Sequence, residues 1–334
     1  MNDRPVSAAG RVGPMIEAAA GGSVRSTARL ISLVEAGGAS AAAVSAALVG
    51  RPRAAAVLGV TGPPGVGKST LVTVLVGRYR SRGERVAVLA VDPSSPFTGG
   101  ALLGDRVRMT EHSTDPGVFI RSMSSRGELG GLSAATAGAA DLLSAIGFDA
   151  VIVETVGVGQ NEVAVLRLAD TVLLVLAPGL GDGVQAAKAG VLEIADVLVV
   201  NKADRDGVAG TVRDLKAMIA LGRSGRAEAT DWRVPVLTTV ATEGPDAGRS
   251  GLDEVLGAVD EHRAHLDRHE GPDRREARRA EAAVEAVVLQ RLQESLRSPA
   301  GRDLLAGAAA DVAAGSVDAH TAAAGVLRAL AGGS

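Results

Sequence analysis

The sequence predicts an α/β fold built around a mainly parallel sheet, and two observations support that prediction. Seven short aliphatic runs recur from residue 54 to about residue 260, and most lack the polar alternation of a strand with one face in water. Helical stretches lie between several of the runs, as the crossover connections of parallel strands require. The runs are AAAVLGVTG, RVAVLAVD, GVFIRSM, FDAVIVETVG, DTVLLVLAPG, DVLVVNKAD and VPVLTTVA.

Helical segments flank this core on both sides. The predicted segments are a helical extension at 1–52, the α/β core at 53–262 and a helical arm at 263–334. In the arm, a long helical pattern follows a charged break and has apolar residues at 283, 284, 287, 288, 289, 292 and 296. A helix beyond such a break needs a partner for its apolar face, so we expect a homodimer; packing on the same chain is the alternative.

The composition excludes several classes of protein. The chain has 334 residues, 35 Lys and Arg against 38 Asp and Glu, a net charge of −3 and no cysteine. There is therefore no basic field for nucleic acid, no disulfide framework and no thiolate metal site. No signal peptide is recognisable at the start and no apolar run has the length of a membrane span, so we expect a cytoplasmic protein without a membrane partner.

The segment GPPGVGKST follows the first aliphatic run and matches the phosphate-loop pattern G-x-x-x-x-G-K-[ST]. Glycines let backbone N–H groups converge on phosphate oxygens, and the following helix N-terminus adds partial positive charge. We expect Lys68 to contact the β- and γ-phosphates and Ser69 to bind Mg²⁺. A glycine-rich turn with a surface lysine is the alternative. The predicted nucleotide contacts in this loop are Gly62, Pro63, Pro64, Gly65, Val66, Gly67, Lys68, Ser69 and Thr70.

The segment NKAD follows the apolar run VLVV and therefore lies at the end of a strand. Asp204 can accept hydrogen bonds from N1–H and the 2-amino group of guanine, whereas adenine offers no such pair of donors. Asn201 would hold the loop and reach the edge of the base, and the stem of Lys202 would cover its face. The sequence thus predicts GTP and GDP as ligands.

Two further strand ends place carboxylates at the same edge of a parallel sheet. Glu154 begins ETVG, in the place where GTPases have D-x-x-G, and could hold Mg²⁺ through water while the Gly157 N–H meets the γ-phosphate. Asp92 ends the strand after the phosphate-loop helix. Either carboxylate could instead be a solvated residue at a strand end.

The loop TGGALLGDRVRM contains one acid, Asp105, and two arginines, which suits a switch that becomes ordered on the γ-phosphate and Mg²⁺. An exposed helix start is the alternative. Gln160 could orient the attacking water, as a glutamine does in some GTPases, although it lies three residues beyond Gly157.

Together these motifs resemble the MeaB/ArgK-type GTPases, the G-protein chaperones of cobalamin-dependent acyl-CoA mutases such as methylmalonyl-CoA mutase. The resemblance runs from about residue 25 to the C-terminus. The phosphate loop and NKAD are common to many GTPases, whereas DPSSPFTGGALLGDRVRM and ETVGVGQNE are far more specific to this family.

The resemblance implies a P-loop NTPase G domain with an N-terminal helical extension and a C-terminal dimerisation arm. GTP hydrolysis would be slow alone and faster with the mutase, and would gate adenosylcobalamin loading and removal of damaged cofactor. Asp92, Asp105 and Glu154 would belong to the metal and switch network. Residues 181–188 would form a further switch; a strand-to-helix turn capped by Asp182 is the alternative.

One departure from the family concerns the fifth nucleotide loop, which usually reads Ser-Ala-Leu. The aligned residues here are Val240, Ala241 and Thr242. The resemblance implies a backbone contact to the guanine oxygen at this loop, so we expect nucleotide binding to survive the changed side chains.

Three other functions stay open at this point. An ATP-dependent kinase or ATPase is disfavoured by Asp204, and a nucleotide-binding scaffold without hydrolysis by the intact carboxylates. A nickel-insertion GTPase would need Cys and His ligands. The chain has five histidines, of which His262, His265 and His269 have i, i+3, i+7 spacing; because Arg, Asp and Glu surround them, we interpret them as a solvated helix face.

Overall fold

The computed structural model describes residues 8–92, 112, 114–124, 131–155, 166–179, 194–223, 232–243 and 250–332. The strands are β1 (Ala56–Thr61), β2 (Val86–Asp92), β3 (Val118–Ser124), β4 (Ala150–Thr155), β5 (Thr171–Leu176), β6 (Val197–Asn201) and β7 (Val236–Thr239). The helices are α1 (Ala8–Ala20), α2 (Val24–Glu35), α3 (Gly38–Ala47), α4 (Lys68–Ser81), α5 (Gly131–Ala145), α6 (Val208–Arg223), α7 (Leu252–His269), α8 (Gly271–Arg297), α9 (Pro299–Ala313) and α10 (Ala319–Gly332).

The seven strands form one sheet in the order β3-β2-β4-β1-β5-β6-β7, and every neighbouring pair is parallel. Each of the seven aliphatic runs forms one of these strands, so the predicted parallel α/β fold is confirmed. The register places Val60 of β1 opposite Glu154 of β4. The ends of β1 and β4 therefore lie side by side at the carboxyl edge of the sheet.

The strands are apolar because helices cover both faces of the sheet. Side chains alternate between the faces along each strand. On one face, Val57 and Val151 pack in a core with α1, α2, α3 and α5. On the other face, Leu58, Val60 and Ile152 pack with α4 and α7. Strands β4, β5 and β6 are buried along their whole length.

The predicted N-terminal helical extension is confirmed as three helices packed on the first of these faces. Helix α2 begins after Ser23, whose Oγ accepts the backbone N–H of Ser26. The helix then buries Leu30, Ile31 and Val34, which is the apolar spacing seen in the sequence. The extension therefore closes one layer of the α/β core.

The C-terminal part is helical from α7 to α10, as predicted. Helix α7 runs across residue 262, at which the sequence predicts the end of the α/β core. Its first turns pack on the sheet through Leu252, Val255 and Val259. Helix α8 contacts α5 and α9 and leaves Val284 and Val288 63% and 57% exposed. Dimerisation through this arm stays a prediction. Among the described residues, a helix with the length and apolarity of a membrane span is not found.

Candidate functional site

Three predicted site segments meet at the carboxyl edge of the sheet. The phosphate loop follows β1, Glu154 lies near the end of β4, and Asn201 ends β6. This arrangement follows from the topology, because the carboxyl ends of parallel strands share one edge and ligands bind there. Four segments far apart in sequence contribute to the site once the turn at Val240 is included.

The phosphate loop adopts backbone angles that require glycine. Gly62 has φ 145° and Gly67 has φ 95°. A Cβ at Gly62 would lie 1.9 Å from the carbonyl oxygen of Val175, and one at Gly67 would lie 2.4 Å from Nδ2 of Asn201. These glycines thus combine left-handed backbone with close approach to β5 and to the NKAD segment. Helix α4 begins directly after the loop, at Lys68, and directs its positive dipole end at it.

The ammonium group of Lys68 folds back over the loop. Its Nζ donates hydrogen bonds to the carbonyl oxygens of Gly62 at 2.8 Å and Pro63 at 3.0 Å, and the side chain is buried. Phosphate oxygens are stronger acceptors of a charged donor than neutral carbonyls are. A triphosphate in the loop can therefore take over this ammonium without requiring it to move far.

Ser69 and Glu154, two of the predicted metal ligands, are in direct contact. The Ser69 Oγ donates a hydrogen bond of 2.8 Å to Oε1 of Glu154, and both residues are buried. A hydroxyl and a carboxylate are the oxygen donors that Mg²⁺ prefers, and Mg²⁺ usually keeps several waters beside them. The two residues fit a Mg²⁺ ion bound beside the phosphate loop.

Asn201 links three segments of the site. Its Nδ2 donates to the carbonyl oxygen of Val66 at 2.8 Å, and its Oδ1 accepts the N–H of Ala241 at 3.1 Å. Lys202, with φ 58°, donates from Nζ to the carbonyl oxygen of Gly65 at 2.6 Å. The side chains of the NKAD segment thus fix the phosphate loop against the fifth loop.

The other predicted site residues fall into two groups, those that the structure describes and those that lie outside the described residues. Asp204 is exposed in the turn before α6, while Val240 and Ala241 are buried and Thr242 lies in a short 3₁₀ helix, Ala241–Glu243. Asp92 ends β2, which pairs with β4, but its side chain lies outside the described residues. Also outside them are Asp105, Gly157, Gln160 and residues 181–188, whose roles stay predictions.

The interpretation of the three histidines as a solvated face is wrong for two of them. His262 and His265 are only 4% and 8% exposed, whereas His269 is exposed. Both buried rings pack against Trp232, with centroid distances of 4.7 and 5.4 Å. They line a cavity of about 630 Å³ at the amino edge of the sheet, opposite the phosphate loop. A lone tryptophan just before the last strand was one of two sequence signals for this cluster.

A pair of titratable groups, the buried His262 and the partly buried Asp196, lies in this cluster. The Nε2 of His262 is 3.4 Å from Oδ1 of Asp196, and Nδ1 of His262 is 2.9 Å from the Thr171 hydroxyl. Burial raises the pKa of Asp196 to about 7, and burial, with a smaller effect of His265, lowers the pKa of His262 to about 4. Between pH 4 and pH 7, therefore, both Asp196 and His262 are uncharged in the folded protein. Arg278 and Glu270 are the other charged groups that act on Asp196.

We expect the two groups to give opposite pH dependences of stability. As the pH falls from about 6.5 to 4, the unfolded chain protonates its histidine and the folded chain does not, so His262 lowers the unfolding free energy. As the pH rises from about 4 to 7, the unfolded chain ionises its aspartate and the folded chain does not, so Asp196 lowers it. In the wild type the two effects oppose each other.

Chemical denaturation at pH 4.5, 5.5 and 6.5 would measure this opposition. Relative to wild type, Asp196→Asn should lose stability as the pH falls, and His262→Gln should lose stability as the pH rises. The double variant should follow the wild-type profile, which serves as the internal control. Parallel pH profiles in the two single variants would contradict the assignment.

The comparisons with known proteins agree with one another and cover most of the chain. The sequence model of the family described as methylmalonyl-CoA mutase-associated GTPase MeaB matches residues 27–300. A GTPase of Pyrococcus abyssi is 47% identical over 274 residues, which cover 82% of this chain and 83% of that protein. The Escherichia coli GTPase ArgK is 41% identical over 202 residues, or 60% of each chain. The crystal structure of an LAO/AO transport system kinase has a TM-score of 0.67 at 26% identity and covers 99% of this chain and 98% of that one.

The matched range contains the phosphate loop, the buried Ser69–Glu154 pair and the NKAD segment. The same range holds every strand of the sheet. An ATP-dependent kinase is therefore not the better interpretation of this phosphate loop. The chain belongs to the MeaB/ArgK family of P-loop GTPases, which bind guanine nucleotides and hydrolyse GTP.

Proposed function

We propose that this GTPase is a chaperone of a cobalamin-dependent acyl-CoA mutase of the methylmalonyl-CoA mutase type. Its GTP cycle gates the loading of adenosylcobalamin and protects or reactivates the mutase. One observation carries the proposal: the family that matches residues 27–300 is described by its association with methylmalonyl-CoA mutase. The proposed place of action is the cytoplasm, where such a client would be met.

In the proposed cycle, each described side chain of the nucleotide site has a role. Lys68 neutralises charge on the β- and γ-phosphates, because its ammonium already lies against the loop. Ser69 and Glu154 would hold Mg²⁺, which would supply positive charge that offsets the charge of the phosphates. Through its two hydrogen bonds, Asn201 holds the phosphate loop and the fifth loop, which would contact the base, in fixed positions relative to each other.

Three carboxylates or amides complete the proposed hydrolytic machinery. Asp92 stands at the end of β2, beside the strand that carries Glu154, and would join the metal site. Asp105 would join it from the switch loop, and Gln160 would orient the attacking water. Residues 181–188 would transmit the nucleotide state to the mutase.

The arm supports a homodimer. Helix α8 buries Ala286 on its own chain but leaves Val284, Val287, Val288 and Leu289 between 41% and 63% exposed. Exposed aliphatic groups clustered on one helix mark an interface with another molecule. Light scattering should give the mass of two chains for the wild type and of one chain for Val284→Glu/Val288→Glu. A monomeric wild type would refute this part of the proposal.

A pull-down from native lysate tests the client. The chain loaded with a non-hydrolysable GTP analogue should recover an acyl-CoA mutase subunit, identified by mass spectrometry. The Lys68→Ala variant, exposed to the same analogue, serves as the matched bait without nucleotide. Recovery of no mutase, or equal recovery by both baits, would count against a GTP-gated chaperone.

A role in nickel insertion gains no support from the structure. In the described ranges, no group of three or more His, Cys, Asp or Glu side chains is placed to hold a metal ion. The ring of His265 instead stacks with that of His262 and packs at a tilt against that of His269.

A further inference from the structure

The cavity at the amino edge of the sheet has the size of a ligand site. Its volume of about 630 Å³ lies within the range of roughly 300–1,000 Å³ typical of small-molecule pockets. Asp170 and Asp196, which directly precede β5 and β6, form part of its wall. Helices α7 and α8, Trp232 and the residues around Leu166 supply other parts. The nucleotide site uses none of these residues.

Above pH 7, where Asp196 is ionised, the charged groups that line the wall are predominantly carboxylates. Five carboxylates and two guanidinium groups line the cavity, and these are Asp170, Asp196, Glu270, Glu281, Glu285, Arg167 and Arg278. One of the two guanidinium groups, Arg278, lies 3.9 Å from Glu270. The glutamates at 281 and 285 are exposed at the rim on α8. A wall with this balance attracts cations and repels anions.

The deepest carboxylate is incompletely satisfied. Asp170 is 6% exposed, and its Oδ2 accepts the N–H of Val57 at 2.8 Å. Arg279 and Arg275 approach it at 3.5 and 3.9 Å, but Oδ1 has no hydrogen bond. Enclosed carboxylate oxygens normally have such a partner, and here the two guanidinium groups stabilise the carboxylate through their charge at these longer distances.

Aromatic rings cover a second side of the cavity. Trp232 packs on His262 and His265, and His265 lies 4.3 Å from His269 between ring centroids. The face of an aromatic ring attracts a cation, most strongly for tryptophan. Apolar groups, among them Leu166, Val172 and Leu266, line the space between the rings and the carboxylates.

We propose that this cavity is a second ligand site that binds a small organic cation, a primary amine or guanidinium joined to an apolar body. The carboxylates pair with the cationic group, and Trp232 with the histidine rings covers the apolar body. A metal ion is not the ligand, because the histidine rings stack at centroid distances of 4.3–6.3 Å and no metal-holding group occurs in the part of the chain that the structure describes.

Proton linkage gives the site a distinctive signature. Burial raises the pKa of Asp196 to about 7, and a bound cation favours the ionised carboxylate. Binding should therefore release a proton at pH 6 and little at pH 8, and affinity should rise between these values.

Two matched pairs of probes test the proposal by isothermal titration calorimetry on the full chain. These are putrescine against 1,4-butanediol, and 2-phenylethylamine against 2-phenylethanol, each pair differing only in the charged group. We expect saturable binding of at least one amine and none of its alcohol. Titrations in buffers of different ionisation enthalpy report the released proton.

Substitutions inside and outside the cavity test whether the amine binds there. Glu281→Gln/Glu285→Gln removes rim charge from an exposed helix surface and should weaken amine binding about tenfold. Asp196→Asn should abolish the proton release. Glu276→Gln changes an exposed glutamate of α8 outside the cavity and should bind as wild type.

Three results with the amine and alcohol probes would overturn the inference, and so would one with metal ions. They are binding of neither amine at millimolar concentration, equal binding of amine and alcohol, and amine binding unchanged in the rim variant. Saturable binding of Zn²⁺ or Ni²⁺ without amine binding would also overturn it. Each readout is independent of GTP and of the mutase, so failure here leaves the proposed function standing.

Discussion

Replacing Lys68 with alanine should reduce GTP affinity by roughly 10²-fold or more, because two hydrogen bonds from a charged donor to the terminal phosphates are lost at about 1.5–3 kcal/mol each. Its ammonium is buried against the phosphate loop, where Gly62 and Pro63 hold it in place. Fluorescence titration with a labelled GTP and with labelled GDP measures the change. The loss should be smaller for GDP, which lacks the γ-phosphate.

A lysine elsewhere in the G domain provides the control. Lys216 is exposed on α6, and Lys216→Ala should bind both nucleotides as wild type. Equal affinity of Lys68→Ala and wild type for GTP would remove the phosphate-binding role of Lys68. A large loss that is identical for GTP and GDP would place the ammonium on the β-phosphate alone.

The sequence was enough to predict the sheet and the edge at which the nucleotide site lies. A strand that is covered on both faces of a sheet has few polar residues, so seven aliphatic runs predict seven strands. The phosphate loop and NKAD are contiguous along the chain and follow such runs. Their meeting at one edge then follows from parallel pairing and needs no knowledge of side-chain packing.

The histidine cluster could not be predicted in the same way, because its burial depends on residues distant in sequence. Trp232 and Asp196 come from other segments and cover His262 and His265. The charged neighbours in sequence, such as Asp267, occupy the opposite face of α7 and are exposed. Besides the lone tryptophan, a second signal was present: the buried positions of α7 continue with helical spacing from its first turns into the histidines.

The changed fifth loop illustrates which substitutions the site tolerates. Where the family usually has Ser-Ala-Leu, this chain has Val240, Ala241 and Thr242. The contact that ties this loop to Asn201 uses the backbone N–H of Ala241. Because a main-chain donor survives a change of side chain, the loop can vary while its position beside the NKAD segment is kept.

Replacing Asp204 with asparagine should change the preferred base from guanine to xanthine. The carboxylate accepts two hydrogen bonds from guanine, whereas an amide can donate one to the 2-oxo group of xanthine. GTP affinity should fall by roughly 10²-fold or more while XTP affinity rises, because each hydrogen bond to a charged acceptor contributes about 1.5–3 kcal/mol. Asp204 is exposed in the turn before α6, so the substitution should leave the fold intact. Competition of GTP and XTP for the labelled nucleotide measures the ratio.

A variant of a neighbouring aspartate tests whether the effect of Asp204→Asn comes from base recognition or from a general loss of negative charge. Asp206 lies two residues further along the same turn and is also exposed, so Asp206→Asn changes the net charge of the loop by the same amount. That variant should keep the wild-type preference for GTP over XTP. If Asp204→Asn also kept it, the carboxylate would not be the group that reads the purine, and the guanine specificity of this chain would have to come from backbone contacts such as those at Val240 and Ala241.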